Sequence, residues 1–136
     1  MSNFTQILDN LWMGGELLPA LPEGFDAIVD CRVLEDIGVL SFTPKALLWI
    51  PFIDVNILPP AWLIDMGVGF VKTAIADKLK TLVHCAEGHN RSGLIVASYL
   101  IRCLSMTPDD AIALIRLKRP GALVNPTFVD YLLKTA

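Results

Sequence analysis

The sequence predicts an α/β fold made of a single domain, in which helices flank a central, mostly parallel sheet of about four or five strands. Short apolar runs alternate with longer segments of helical periodicity, which is the pattern of strands joined by crossover helices. The chain has 136 residues, enough for one hydrophobic core. No repeat, low-complexity tract or linker interrupts it, so we expect one domain over residues 1–136.

Four strands are predicted from short apolar runs that end at strand-breaking residues. The first, NLWMGG, ends in two glycines, and the second, FDAIVDC, ends at Cys31. The third, ALLWIPF, is broken at Pro51, and the fourth, KTLVHC, ends at Cys85. Parallel pairing would bring the carboxyl ends of these strands to one edge of the sheet.

Four helices are predicted from capping signals and apolar spacing. A helix over residues 59–79 opens at a proline pair, and the segment SGLIVASYLIRCL is apolar almost all round, which indicates a buried helix. Thr107 caps a third helix that runs to about Lys118. Asn125, followed by a proline, caps a last helix that ends near Lys134.

Composition argues against several classes of protein. The 11 lysines and arginines are scattered and the net charge is -3, so we expect no binding to duplex nucleic acid. The longest apolar run, residues 94–101, is far shorter than the about 20 residues of a membrane span, and no signal peptide is visible. We therefore expect no membrane insertion, a cytoplasmic location and a monomer. Three widely spaced cysteines and two histidines predict neither disulfides nor a metal site.

The loop between the fourth strand and the buried helix is unusually polar for a simple connection. Ligands bind at the carboxyl ends of strands in such sheets, and helix N-termini attract anions. Gly88 permits a sharp bend, and Arg91 adds a planar fork of donors that suits phosphate. Cys85 at the centre would be held as a thiolate nucleophile. We predict that phosphate is bound by Ala86, Glu87, Gly88, His89, Asn90 and Arg91.

The motif H-C-x5-R-S, present as HCAEGHNRS, resembles the signature of the cysteine-dependent protein tyrosine phosphatase superfamily, and the short chain is most similar to its dual-specificity branch. The resemblance implies a phosphatase-like fold, attack of Cys85 on phosphorus to form a phosphocysteine, and binding of the equatorial oxygens by Arg91 and loop amides. It implies that Ser92 helps the sulfur to leave and that no cofactor is needed. His84 would orient the loop, and Asn125 would support it or only cap its helix.

The resemblance also implies a general acid on the loop that follows the preceding strand. Asp54 occupies that place, just past Pro51. Asp36 and Asp65 are the reserve candidates. The first precedes this region in the chain, and the second lies inside the helix predicted over residues 59–79.

The resemblance further implies a shallow pocket, so the expected partner is a phosphorylated protein, carrying phosphotyrosine or phosphoserine/threonine, or a small phosphoester. Phosphoinositides remain an alternative, although the loop has Glu87 and His89 where lipid-directed members carry lysines. An RNA 5′-triphosphatase is a second alternative, because GHNRSG resembles that class. A rhodanese-like sulfurtransferase and a phosphate-binding module with lapsed catalysis remain as well, and the intact Cys85, Arg91 and Ser92 argue against the module.

Cys31 is a candidate redox partner of the nucleophile. If its strand lies parallel beside the strand that ends at Cys85, both thiols share one sheet edge. Some phosphoinositide-branch members place a resolving cysteine there, and the resemblance extends that role to Cys31 as a hypothesis. A reduced cysteine packed in the core is an equal alternative.

Overall fold

Five strands form one sheet in the computed structural model, which describes residues 3–15, 24–33 and 43–135. The spatial order of the strands is β1-β2-β5-β3-β4. In chain order the strands are β1 (Phe4–Leu8), β2 (Leu11–Gly14), β3 (Ala27–Asp30), β4 (Ala46–Trp49) and β5 (Thr81–His84). The helices within the described residues are α1 (Ala61–Ala76), α2 (Arg91–Leu104), α3 (Pro108–Lys118) and α4 (Pro126–Lys134).

The predicted α/β class and the mostly parallel sheet are confirmed. β2, β5, β3 and β4 pair in parallel, and β1 alone is antiparallel, forming a hairpin with β2. The sequence did not reveal β1, since FTQIL buries only Ile7 and lacks a clear apolar run. The hairpin turn has no glycine, and Asn10 supplies the positive φ of 64° instead.

The predicted helices are present, with small differences at their ends. α1 begins at Ala61, after the proline pair, and ends at Ala76, just before Lys78 takes a positive φ of 60°. Thr107 caps α3 by accepting a hydrogen bond from the Asp110 N–H at 3.1 Å. The Asn125 side chain caps α4 by accepting from two backbone N–H groups of the first turn.

The helix α2 is central to the core, as its apolar sequence predicts. Every residue from Arg91 to Leu100 is buried, and α2 contacts β2, β5 and the other three helices described above. No helix among the described residues is both long and apolar enough to cross a bilayer.

Strand register brings the ends of three central strands to one edge. Gly14 of β2 and Asp30 of β3 both pair with His84 of β5. Cys85 and Cys31 therefore follow neighbouring strands at the same carboxyl edge, from which the chain also enters α2. This edge carries the candidate site.

Candidate active site

The loop that joins β5 to α2, residues 85–91, is called the phosphate loop below. The Cys85 side chain is buried at its base, with 2% of the residue exposed. The Gly88 N–H donates to Cys85 Sγ at 3.2 Å, and Ser92 Oγ lies 3.4 Å from the same sulfur. The loop therefore wraps around the sulfur at the N-terminus of a buried helix.

Gly88 gives the loop its bend, and β2 leaves room for it. Gly88 has a φ of 75°, and a Cβ at this position would overlap the backbone of Gly14 and Gly15. A Cβ on Gly15 would in turn lie 3.0 Å from the Glu87 carbonyl oxygen. The two glycines that end β2 thus allow the phosphate loop to pass directly over the strand.

Arg91 is buried at the first position of α2 and is tied to the preceding loop. Its Nη1–H donates to the Phe52 carbonyl at 3.2 Å. Phe52 belongs to residues 51–60, which join β4 to α1 and are called the acid loop below. The guanidinium therefore links the phosphate loop to the acid loop.

The structure brings Asp54 against the phosphate loop through two asparagines. Asn90 Nδ2 donates to Asp54 Oδ2 at 2.9 Å, and Asn125 Nδ2 donates to Asp54 Oδ1 at 2.8 Å. Asn125 Nδ2 also donates to the Val55 carbonyl at 2.9 Å. Both carboxylate oxygens are thus oriented by amides, one from the phosphate loop and one from the cap of α4.

Asp65, one of the two reserve acids, does not share this position. Asp65 lies on α1, where its Oδ1 accepts a hydrogen bond from Arg102 Nη1 at 2.6 Å. Asp36 lies outside the described residues. Among the described residues, Asp54 is therefore the predicted acid that lies beside the phosphate loop.

Arg119, which the sequence reasoning missed, holds the outer side of the phosphate loop. Its Nε–H donates to the Gly88 carbonyl at 2.7 Å, and its Nη2 to the Glu87 carbonyl at 3.2 Å. Nη1 donates to Thr5 Oγ1 at 3.0 Å, which anchors the guanidinium to β1. Burial lowers the pKa of Arg119, and the charge of Cys85 opposes this shift. Arg119 thus binds the Gly88 carbonyl, while the N–H of the same glycine donates to Cys85 Sγ.

The chain that follows Arg119 continues the same contact. Residues 119–125, called the clasp below, run along the phosphate loop. The Leu123 N–H donates to the His89 carbonyl at 3.3 Å, and the Val124 and Asn125 N–H groups donate to Asn90 Oδ1 at 2.8 and 2.9 Å. In the sequence this segment reads RPGALVN, and its arginine before Pro-Gly was the available signal for Arg119.

A buried polar cluster lies beneath the loop. Arg32 pairs with Asp30 through two hydrogen bonds of 3.0 Å, and both residues are buried. His84 Nε2 lies 3.7 Å from Asp30 Oδ2. Burial lowers the pKa of His84 to about 4, although the Asp30 charge raises it, so the imidazole is neutral at pH 7. No group of three or more metal-ligating side chains occurs in the described parts of the chain.

Cys31 lies next to Cys85 across the β3–β5 pair. The Cys31 N–H donates to the His84 carbonyl at 2.9 Å, and both thiols are free. Burial raises the pKa of the Cys31 thiol, and the nearby charges of Cys85 and Asp30 raise it further. Cys31 is therefore a protonated thiol beside the candidate nucleophile.

The remaining residues of the phosphate loop, Ala86, Glu87 and His89, are partly or fully exposed. The Glu87 side chain is mostly exposed, and its Oε2 lies 3.7 Å from His89 Nδ1. Ala86, which lies between Cys85 and Glu87 in the chain, is half-buried. Their predicted role in binding phosphate would rest on backbone N–H groups rather than on side-chain charge.

Comparisons with known proteins agree with this arrangement. The family model described as dual specificity phosphatase, catalytic domain, matches residues 23–136. Human dual specificity protein phosphatase 8 is 32% identical over 73 residues, which cover 54% of this chain and 12% of that protein. The rat RNA/RNP complex-1-interacting phosphatase is 29% identical over 121 residues, covering 82% of this chain and 36% of that protein. The chain thus spans only part of these relatives.

A solved structure shows the same fold. The crystal structure of a mouse putative dual specificity phosphatase complexed with zinc tungstate superposes with a TM-score of 0.86. The two chains are 22% identical, and the match covers 97% of this chain and 85% of the mouse chain. At this level of identity, the likeness concerns the fold alone.

Proposed function

The chain belongs to the dual specificity phosphatase catalytic-domain family, and from that premise we propose that it hydrolyses phosphate monoesters on proteins, both phosphotyrosine and phosphoserine/threonine, through a phosphocysteine intermediate. One observation carries this proposal. Cys85 Sγ accepts the Gly88 N–H inside a loop that also presents Arg91, and Asn90 of that loop donates to Asp54. Nucleophile, anion site and acid therefore belong to one hydrogen-bonded unit.

In the first step, the Cys85 thiolate attacks phosphorus, and a P–S bond forms as the P–O bond to the leaving group breaks. The loop amides and Arg91 donate to the equatorial oxygens, where charge spreads in a loose transition state. Asp54 transfers its proton to the leaving oxygen. Each Asp54 oxygen accepts an amide hydrogen bond and retains a second lone pair that can carry this proton.

In the second step, water attacks phosphorus and the P–S bond breaks. The Asp54 carboxylate accepts the proton from water, which restores its acid form. The Ser92 hydroxyl donates to the departing Cys85 sulfur, from which its oxygen is 3.4 Å away. Inorganic phosphate leaves, and the thiolate is regenerated.

Thiolate, arginine and carboxyl group together supply this chemistry without a metal or other cofactor. The three free cysteines support a reducing compartment, the cytoplasm, since oxidation of the nucleophile would stop turnover. The phosphorylated partner binds to a monomer of this chain.

The test compares wild type with Cys85→Ser on a small aryl phosphate, followed by phosphopeptides, phosphoinositides and triphosphorylated RNA. Cys85→Ser should abolish turnover and still bind phosphoesters, because its hydroxyl does not ionise. Cys103→Ser, which alters a half-buried cysteine near the far end of α2, is the matched control.

Retention of activity in Cys85→Ser would contradict the phosphocysteine. Faster turnover of lipid or RNA than of any phosphopeptide would contradict the protein substrate class. Thiosulfate sulfurtransferase activity without phosphatase activity would favour the rhodanese-like alternative.

A further inference from the structure

Six large apolar side chains within residues 53–66, the segment that contains the candidate acid, are exposed, and together they are called the apolar rim. They are Ile53, Val55, Ile57 and Leu58 of the acid loop and Trp62 and Met66 of α1. Ile57 is 72% exposed and Trp62 is 62% exposed. Single exposed apolar residues are ordinary, whereas a concentration of them within residues 53–66 marks an interaction surface.

The apolar rim is distinct from the hydrophobic core, because other side chains of the same segment are buried there. Phe52 is buried at the start of the acid loop and packs edge-on against Phe128, with ring centroids 6.1 Å apart. Leu63 and Ile64 bury the inward face of α1, so Trp62 and Met66, four residues apart, share its outward face. Phe52, Leu63 and Ile64 therefore fix this segment to the core, while the side chains of the apolar rim face solvent.

The rim is attached to the candidate site by hydrogen bonds. Ile53 and Val55 flank Asp54, whose carboxylate is held by Asn90 and Asn125. Asn125 also holds the Val55 carbonyl. The groups next to the phosphate of a substrate bound at Cys85 and Asp54 would therefore lie near Ile53 and Val55, the rim residues that flank the acid.

The charged residues near the apolar rim indicate which substrate groups suit this surface. Residues 46–71 contain no lysine or arginine, and their charged side chains are Asp54 and Asp65. The exposed Glu87 adds a further negative charge in the phosphate loop. Anionic membranes and multiply phosphorylated headgroups are recognised by clusters of basic residues. Outside the phosphate loop, the cations recorded beside this segment are Arg102, which pairs with Asp65, and Lys134, which lines a cavity with Leu58. Two separate cations do not form a basic cluster, so the charge pattern favours an apolar peptide over an anionic lipid surface.

We propose that the apolar rim is a specificity surface that selects phosphopeptides with large apolar side chains next to the phosphorylated residue. This inference rests on the proposed phosphatase function and names the sequence context of its substrate. Moving one large apolar side chain from water onto an apolar surface favours binding by a factor of about 10 to 100. A preference of about 10-fold or more in kcat/KM is therefore expected.

The experiment uses two phosphotyrosine peptides that differ only at the positions flanking the phosphotyrosine, isoleucine in one and glutamine in the other. Wild type should hydrolyse the isoleucine peptide with a kcat/KM at least about 10-fold higher. A double variant, Ile57→Ser with Trp62→Gln, should reduce this ratio to below about threefold, since both side chains lie in the rim. Leu117→Ser, which removes an exposed side chain of α3, should preserve the wild-type ratio.

Binding of both peptides to Cys85→Ser by calorimetry separates this proposal from the proposed function, because it needs no turnover. A tighter complex with the isoleucine peptide supports the rim. Equal affinities, or a double variant that keeps the preference, would overturn it. Rim-dependent binding to phosphatidylcholine vesicles containing a phosphoinositide, with no preference between peptides, would overturn it in favour of a membrane surface. Failure of wild type to hydrolyse a small aryl phosphate would instead overturn the phosphatase function.

Discussion

The phosphate loop and the acid loop both follow strands at the carboxyl edge of the sheet, yet they are held very differently. Cys85, Arg91 and Ser92 are buried, and contacts from β2, Arg119 and the clasp surround their loop. In the acid loop, residues 53–58 are all exposed, and Asp54 is held by asparagine amides. The comparison indicates that packing fixes the candidate anion site, while the candidate acid lies on a solvent-facing segment.

The strongest test of the buried side is Arg91→Lys. An ammonium group cannot reproduce the planar fork, so kcat/KM should fall by at least about 10³ on every phosphoester. Because the phosphate loop serves all substrates alike, the loss should not depend on the leaving group. Steady-state kinetics with a series of aryl phosphates measures this, and near wild-type activity would refute the assigned role.

The exposed side should respond differently. Asp54→Asn removes the transferable proton and should lower kcat by about 10²–10⁴ on poor leaving groups. Aryl phosphates with acidic leaving groups should be least affected, because they depart without protonation. Asp65→Asn, on α1 and paired with Arg102, is the control. A loss independent of the leaving group would contradict the acid role.

The cluster beneath the phosphate loop predicts a pH dependence of stability. The pKa of His84 is about 4 in the folded protein and 6.5 ordinarily, so the unfolded chain binds more protons between these values. Stability is therefore complete above pH 6.5 and falls as pH decreases towards 4, by about 3 kcal/mol from this group. Thermal unfolding across this range should show a weaker pH dependence in His84→Gln than in wild type and His89→Gln. Equal slopes in all three proteins would refute the assignment, and NMR titration of the His84 imidazole gives an independent reading.

A smaller effect is expected at Arg119, a positioning residue. Arg119→Lys cannot keep both hydrogen bonds to the Glu87 and Gly88 carbonyls, so kcat/KM should fall about 10-fold. Weaker inhibition by vanadate should accompany the loss, since the anion site itself is disturbed. Arg116→Lys is the matched control, because Arg116 contacts the clasp at the Leu123 carbonyl but not the phosphate loop. Unchanged vanadate inhibition in Arg119→Lys would leave only a structural role.

The smallest expected effect concerns Cys31 and appears only after oxidation. Peroxide converts the Cys85 thiolate to a sulfenic acid, and the Cys31 thiol can displace water from that sulfur to form a disulfide. Neighbouring strands lie about 4.8 Å apart, within the reach of such a bond. Activity recovered by reductant should be lower in Cys31→Ser than in wild type or Cys103→Ser. Equal recovery in the three proteins would leave Cys31 as a packing residue.

Much of the site could be predicted because it is local in the chain. The strand, loop and helix of residues 82–101 are consecutive, so the motif by itself predicts that Cys85, Arg91 and Ser92 lie together at the end of β5. Apolar periodicity and capping residues likewise predicted the parallel sheet and all four described helices. Asp54 was found because family spacing and a broken strand both indicate a loop at that point.

Only the tertiary structure decided how the two loops are joined. The contacts of Asp54 with Asn90 and Asn125, of Arg119 with Gly88, and of Arg91 with Phe52 connect residues more than 30 positions apart. Local propensity and periodicity specify where elements begin and which face is buried, but they do not specify which polar groups meet when those elements pack. These contacts between polar groups depend on strand order, register and helix placement, which the whole chain determines together.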